Sequence, residues 1–188
     1  MDGTVWDSFP WYAAVLAKAS SGHAESLLRE LQHGSSIVAL SRRLGVTDQR
    51  FRRLCGADGD RLRLFPGVRD ALVQLNSRGI PTVVVTSLPA RIAEPLLDCL
   101  MVRYLFKDVV NASNCPSRKP RPGPLVCALG RIGVAPERDV FYVGDQPGDA
   151  AAADAAGISF AWASYGYGRD HPGNAAAVLK SFSEVLLL

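Results

Sequence analysis

From Leu64 onward, short apolar runs alternate with stretches of helical spacing, and this alternation limits the fold more than any other feature. Val68, Ala71, Leu72 and Leu75 recur on one helical face that ends at Gly79, and a strand follows over 80–85. The pattern then predicts a helix over 89–100, a strand over 106–110, a polar Pro-rich loop over 111–124 and a helix over 123–132. A strand over 140–143, a helix over 150–156 stopped by Gly157, and a strand over 158–162 complete it; the tail, 174–188, reads as helical or mixed. Such alternation builds an α/β fold, a doubly wound parallel sheet with helices on both faces. Ligands of these sheets bind beyond the carboxyl ends of the strands, where Thr86, Lys119, Asp145 and Asp149 all fall.

The first third is different. Ser8 reads as an N-cap with Pro10 early in a helix over 11–19, followed by helices over 25–31 and 37–44. Thr47 is placed to cap a further helix over 48–54, and Gly34, Gly45 and Gly56 mark the breaks. The expected organisation is therefore an α/β core over 1–8 and 65–188, with a small α-helical cap over 9–64.

Bulk properties exclude several classes. A chain of 188 residues, 48% hydrophobic, can bury a substantial core. Its formal charge of +3 is spread among interspersed acidic and basic residues, which argues against nucleic acid. No apolar run approaches the roughly 18–20 residues of a membrane span, and M-D-G-T lacks the basic and apolar regions of a signal peptide. Cys55, Cys99, Cys115 and Cys127 make no metal-finger spacing, which suits a reducing, cytoplasmic setting; Cys99 and Cys127 lie in helical patterns as small core residues.

The chemistry concentrates in V-F-Y-V-G-D-Q-P-G-D, residues 140–149. Asp145 ends the strand, Pro147 and Gly148 turn the chain, and Asp149 opens the helix. Two carboxylates four residues apart suit a hard, oxygen-seeking cation such as Mg²⁺. The same placement also suits a strand end and a helix cap. Thr86 reads equally as a strand-to-helix cap and Lys119 as a solvated loop lysine, although Lys119 is one of only four lysines. Arg42, Arg43, Arg50, Arg52, Arg53, Arg61 and Arg63 in the helical segment read as solvated helix faces, with an anionic substrate as the alternative.

Taken in series, these residues resemble the haloacid dehalogenase-like (HAD) hydrolase superfamily, in its capped phosphatase branch similar to phosphoglycolate phosphatases. Asp2-Gly3-Thr4 matches the latter part of the family's D-x-D-G-T, and Thr86 after three valines the second motif. Lys119 followed by Pro120 matches the third, and Gly144-Asp145 with Asp149 the fourth. Phe65-Pro66-Gly67-Val68 is similar to the family's return from cap to core. The resemblance implies a Mg²⁺-dependent phosphomonoester hydrolase acting through an aspartyl-phosphate on a small phosphorylated metabolite. It implies Asp2 as acid and base, with its backbone carbonyl on the metal, and Asp145 and Asp149 holding the metal directly or through water. Thr86 and N–H groups around Ser87 would bind the phosphoryl group, Lys119 would hold its charge beside the nucleophile, and the cap would select substrate. Phosphoglucomutase-type transfer uses the same motifs.

The family's nucleophile stands two places before the acid/base Asp, a position that here precedes Met1, and the apolar strand leading into it is absent as well. The resemblance therefore implies that the first core strand is missing and that the 188 residues alone are inactive. An upstream start supplying both is the favoured expectation. A catalytically dead HAD-fold protein that binds a phosphorylated ligand or a protein partner is the alternative, and a truncated product the third.

Overall fold

The computed structural model describes residues 1–33, 35, 37–47, 49–51, 53, 62–115 and 117–188. Gly34, Arg52, Cys55, Gly56 and Arg61, named above, and positions 48, 52 and 54 of the helix expected over 48–54 lie outside them. The contacts divide the chain into two compact units, Met1–Trp6 with Leu64–Leu188, and Asp7–Arg63.

The smaller unit is helical among its described residues, with α1 (Phe9–Ser20), α2 (Ala24–Gln32) and α3 (Ile37–Arg43). In α1, Trp11, Tyr12, Val15 and Leu16 are buried; in α2, Leu27 and Leu31. Ser8 stands at the N-cap of α1 but makes no side-chain cap bond, whereas Thr47 Oγ1 accepts the Arg50 N–H at 3.3 Å. Arg43 is committed to Glu30 by a two-pronged pair at 2.6 and 2.8 Å.

In the larger unit, β1 (Trp6–Asp7, whose first residue belongs here) and β2 (Arg63–Leu64, whose second does) are two-residue strands. They are followed by α4 (Val68–Ser77), β3 (Val83–Val85), α5 (Ala90–Cys99), β4 (Asp108–Val110) and α6 (Gly123–Ile132). Then come β5 (Phe141–Gly144), α7 (Pro147–Ala155), β6 (Ser159–Ala163) and β7 (Ala177–Leu179). Pairing is parallel throughout these later strands: β3 with β4 (Val84 opposite Val109), β5 with β6 (Tyr142 opposite Phe160), and β6 with β7 (Trp162 opposite Val178). The α/β core is as the alternation requires. Its centre is packed by small residues. Ala150, Ala152 and Ala153 of α7 are buried with Phe160, Ile158 and, from α6, Leu125 and Leu129. Alanine there lets the helix lie close on the sheet, so that Phe160 fills the remaining space.

Several elements differ from the sequence pattern. The strand expected over 80–85 is confined to β3, because Pro81 has no N–H to donate and Ile80 is exposed. α7 begins at Pro147 with Gln146 as its N-cap, so Asp149 is its third residue rather than its opener. Proline is well suited to the first helical position. Cys99 is exposed rather than part of the core. The tail holds β7 and a 3₁₀ turn over Phe182–Leu187, which buries Phe182 and Val185.

The parallel sheet is in two pieces, β3–β4 and β5–β6–β7. Between them lies a cavity of about 480 Å³ lined along its length by both β3 and β5. Phe141, Tyr142 and Val143 of β5 are in consequence only half-buried, although β6 beside them is almost wholly enclosed.

Candidate functional site

The chain places its polar residues where β3 and β5 end. After Val85, Thr86 is buried: its N–H donates to the Val110 carbonyl at 2.9 Å and its Oγ1 accepts the Leu88 N–H at 3.1 Å. The hydroxyl thus shapes the turn into α5, and Ser87 beside it is exposed. Thr86, Ser87, Asn111, Ser117, Arg118 and Lys119 share a small cleft. Asn111 holds that cleft's far wall: its Oδ1 accepts the Ser113 N–H, and its own N–H donates to Asn114 Oδ1, each at 2.9 Å.

Lys119 crosses from the loop to β5. Its Nζ lies 2.5 Å from Asp149 Oδ1 and 2.8 Å from the Tyr142 hydroxyl. Both partners of the ion pair are shielded, the side chains being 17% and 7% exposed. Burial works against the lysine's charge, but Tyr142 and Asp149 outweigh it and hold the ammonium above its ordinary pKa. Burial would raise the Asp149 pKa; Lys119 and the surrounding hydrogen bonds overcome that and hold it below the usual carboxylate value. The other oxygen, Oδ2, accepts the N–H groups of Asp145 and Gln146 at 3.2 and 3.1 Å. One carboxylate therefore serves the site through one oxygen and caps α7 through the other. Tyr142, a half-buried residue whose hydroxyl lies between the two charges, has that hydroxyl's pKa pushed up, chiefly by loss of solvent around it and then by Asp149.

Asp145 is enclosed differently. Its Oδ1 accepts the Thr4 hydroxyl at 3.3 Å, and Oδ2 accepts Gln146 Nε2 at 2.8 Å and the Tyr167 N–H at 3.0 Å. Burial raises its pKa against the opposing hydrogen bond from Gln146. Gly3 lies against it in the left-handed region, φ +67°, and a Cβ there would collide with the carboxylate. Asp2, in the same turn, accepts the Trp6 indole N–H through Oδ1 at 2.8 Å. The Met1 amine is buried within the field of Lys119, Asp2, Asp149 and Asp145, and burial lowers its pKa.

Thr86, Ser87 and Lys119 are thus brought to one cleft, and Lys119 to Asp149. Among the described residues, however, no three His, Cys, Asp or Glu side chains form a cluster able to hold a metal, so Asp2, Asp145 and Asp149 do not make a three-carboxylate cage. The donor chemistry still fits a hard cation in part. Asp145 offers carboxylate oxygens at a strand end, and Mg²⁺ commonly takes only one or two carboxylates with water and phosphate as its other ligands. Asp149 has both oxygens engaged. Three contributors escaped the sequence pattern: Tyr142, which reads as one more β-former, and Thr4 and Tyr167, which reach Asp145 from opposite ends of the chain. The only sequence signal for Tyr142 is its parity with Gly144, which sets both on one face of β5.

This arrangement, an acidic residue and a lysine-bridged second one at the ends of parallel strands, has counterparts. The chain belongs to the haloacid dehalogenase-like hydrolase family, whose sequence pattern it matches over residues 1–163. It is similar to the phosphoglycolate phosphatase of Pseudomonas fluorescens (strain Pf0-1), 29% identical over 192 residues that cover 92% of this chain and 70% of the relative. It is also similar to that of Escherichia coli (strain K12), 38% identical over 104 residues, 55% of this chain and 41% of the relative. Among solved structures, a predicted phosphoglycolate phosphatase from Haemophilus somnus 129PT superposes with a TM-score of 0.80 at 25% identity, covering 100% of this chain and 94% of that one. No helix among the described residues is long and apolar enough to cross a membrane.

Proposed function

We propose that this fold carries Mg²⁺-dependent hydrolysis of a small phosphate monoester such as 2-phosphoglycolate, through an aspartyl-phosphate on a carboxylate two residues ahead of Asp2. The observation behind it is the Lys119–Asp149 pair, set beside the cleft of Thr86 and Ser87 at the ends of the parallel strands. Lys119, held fully protonated, places a fixed positive charge where phosphoryl oxygens would gather. The Thr86 hydroxyl, whose oxygen already accepts from Leu88, has its proton available for a phosphoryl oxygen. Asp2 would protonate the leaving oxygen and then take a proton from the attacking water, the two halves of general acid–base work. Mg²⁺, when bound, would neutralise phosphoryl charge; Asp145 and the Asp2 backbone carbonyl would hold it, with Asp149 supporting through water.

That Asp145 and Asp149 are both already occupied by protein donors favours a second reading, a protein that binds a phosphorylated ligand without turning it over. One assay separates them. Phosphate release from 2-phosphoglycolate and p-nitrophenyl phosphate is followed with and without Mg²⁺, for residues 1–188 and for a form carrying a strand-forming leader with Asp two places ahead of Asp2. The hydrolase reading requires Mg²⁺-dependent turnover by the leader form, abolished by Asp145→Asn. A folded leader form that is inactive on a panel of phosphate esters, yet binds phosphate calorimetrically, would leave only the second.

A further inference from the structure

Lys119 is held by two acceptors, and only one of them is a charge. Its Nζ donates to Asp149 Oδ1 at 2.5 Å and to the Tyr142 hydroxyl oxygen at 2.8 Å, and that oxygen stands 3.4 Å from the same Asp149 atom. The direction of each proton follows from what the groups can do. An ammonium has three N–H donors and no acceptor, a carboxylate only accepts, and a neutral phenol does both. The Tyr142 hydroxyl therefore accepts from Lys119 and turns its own proton toward Asp149. Its ring lies alongside the lysine, with the centroid 5.4 Å from Nζ.

A lysine head is a compact charge on a flexible stem, and a single contact leaves it free to swing about its acceptor. Two acceptors fix two of the three N–H groups, and with them the direction of the third. On its other side Lys119 lines the cleft that holds Thr86 and Ser87. The tyrosine is itself well seated. Side chains alternate along a strand, so Val140 and Tyr142 share one face of β5, and both pack against a cluster that includes Leu125 of α6, Ala150 of α7 and Phe160 of β6. Phe160 is also the residue opposite Tyr142 in the β5–β6 register. The ring thus stands on the helix-covered face of the sheet, and its contact with Lys119 does not depend on what pairs with the β5 edge.

We propose that Tyr142 is a positioning residue: by holding the Lys119 ammonium against Asp149, it turns the third N–H into the cleft, toward an oxygen of a phosphoryl group seated there. Phenylalanine at 142 would fill the same space and leave the lysine its charge and its contact with Asp149, but not the direction of its remaining donor. The consequence for turnover rests on the hydrolase reading; the orientation of the lysine does not.

The test has two arms. The 188-residue chain has only four lysines, so ¹⁵N relaxation of the side-chain ammonium groups is readily assigned, the Lys119 signal by its loss in Lys119→Met. Lys119 is expected to be far more ordered than the exposed Lys107 and Lys180, and Tyr142→Phe should lower its order parameter toward theirs while retaining the parent's circular dichroism. In the leader form, Tyr142→Phe should lower kcat for 2-phosphoglycolate by about tenfold or more, the worth of one hydrogen bond to a charged group. The inhibition constant of orthovanadate, whose five-coordinate adduct resembles the transition state, should rise by about tenfold. That of inorganic phosphate, which needs the charge more than its direction, should rise less than about threefold. A merely structural role would move the two constants alike or not at all. An unchanged Lys119 order parameter, or a vanadate constant that moves no more than that of phosphate, would overturn the proposal. A parent leader form without Mg²⁺-dependent turnover would refute the hydrolase reading instead, and the ammonium relaxation alone would then decide the role of Tyr142.

Discussion

Replacing Asp149 with asparagine keeps the side chain's shape and removes its charge, and the consequences follow from three contacts. The substitution leaves the Lys119 ammonium, with a side chain only 17% exposed, without its counter-ion. It also weakens the acceptor for the Asp145 and Gln146 N–H groups. Removing one member of a buried ion pair costs about 3–5 kcal/mol. Because asparagine can still accept from one N–H, the lower end applies, about 3 kcal/mol. At about 2–4 °C per kcal/mol for a chain of this size, Tm should fall by about 6–12 °C. Lys119→Met removes the other charge and should cost nearly as much. The double variant should cost less than the sum of the two, with a coupling energy of about 2 kcal/mol from urea denaturation at neutral pH. The pH dependence has a defined sign. The folded Asp149 pKa is below its unfolded value, so its contribution is complete above about pH 4 and is lost as the pH falls through the folded value. The Asp149→Asn variant should lose that acid-side slope. A loss of stability below about 1 kcal/mol, or additive single variants, would refute the account of Asp149 as a charge held in place by Lys119.

Gly3→Ala should destabilise by about 2 kcal/mol or more, from the left-handed backbone and the collision with Asp145, and a urea midpoint unchanged from the parent would contradict that geometry. The folded Met1 amine titrates below its unfolded value of about 8, so stability should rise with pH between those two points. N-terminal acetylation should flatten that rise in thermal melts. Ala152→Leu forces a large side chain into a fully buried position of α7 and should cost about 1–3 kcal/mol by the same denaturation. Asp145→Asn in the leader-bearing form should lower phosphate release, and unchanged Mg²⁺ dependence would remove Asp145 from the metal site.

The alternation after Leu64 made the α/β core legible, because a buried strand and an amphipathic helix have different hydrophobic periods and each was long enough to display its own. Lys119, Thr86 and Asp149 were legible for a topological reason: each follows a strand, and strand ends converge. What could not be read was direction and pairing at atomic scale. Nothing in the composition of 140–149 says that Tyr142 places its hydroxyl between Lys119 and Asp149, since tyrosine there satisfies a strand as well as phenylalanine would. Thr4 and Tyr167 meet Asp145 from 141 and 22 residues away in sequence, a proximity that no local pattern encodes. The start of α7 was misplaced for the opposite reason. Pro147 and Gly148 are turn residues by habit, and only the missing N–H of proline at a first helical position reverses that reading.

The two oxygens of Asp149 answer to different demands, one to the lysine at the site and one to the backbone that begins α7. A gene free to drift away from catalysis would not be equally free at this codon, because losing the carboxylate also loosens the helix that carries the alanine core. Asp145, by contrast, starts no helix of its own and is held by side chains and a distant loop. In a lineage that had ceased to hydrolyse phosphate esters, Asp149 and Lys119 would persist together as framework while Asp145 became replaceable. Asp145, then, and not Asp149, is the position at which lapsed chemistry would first leave its mark.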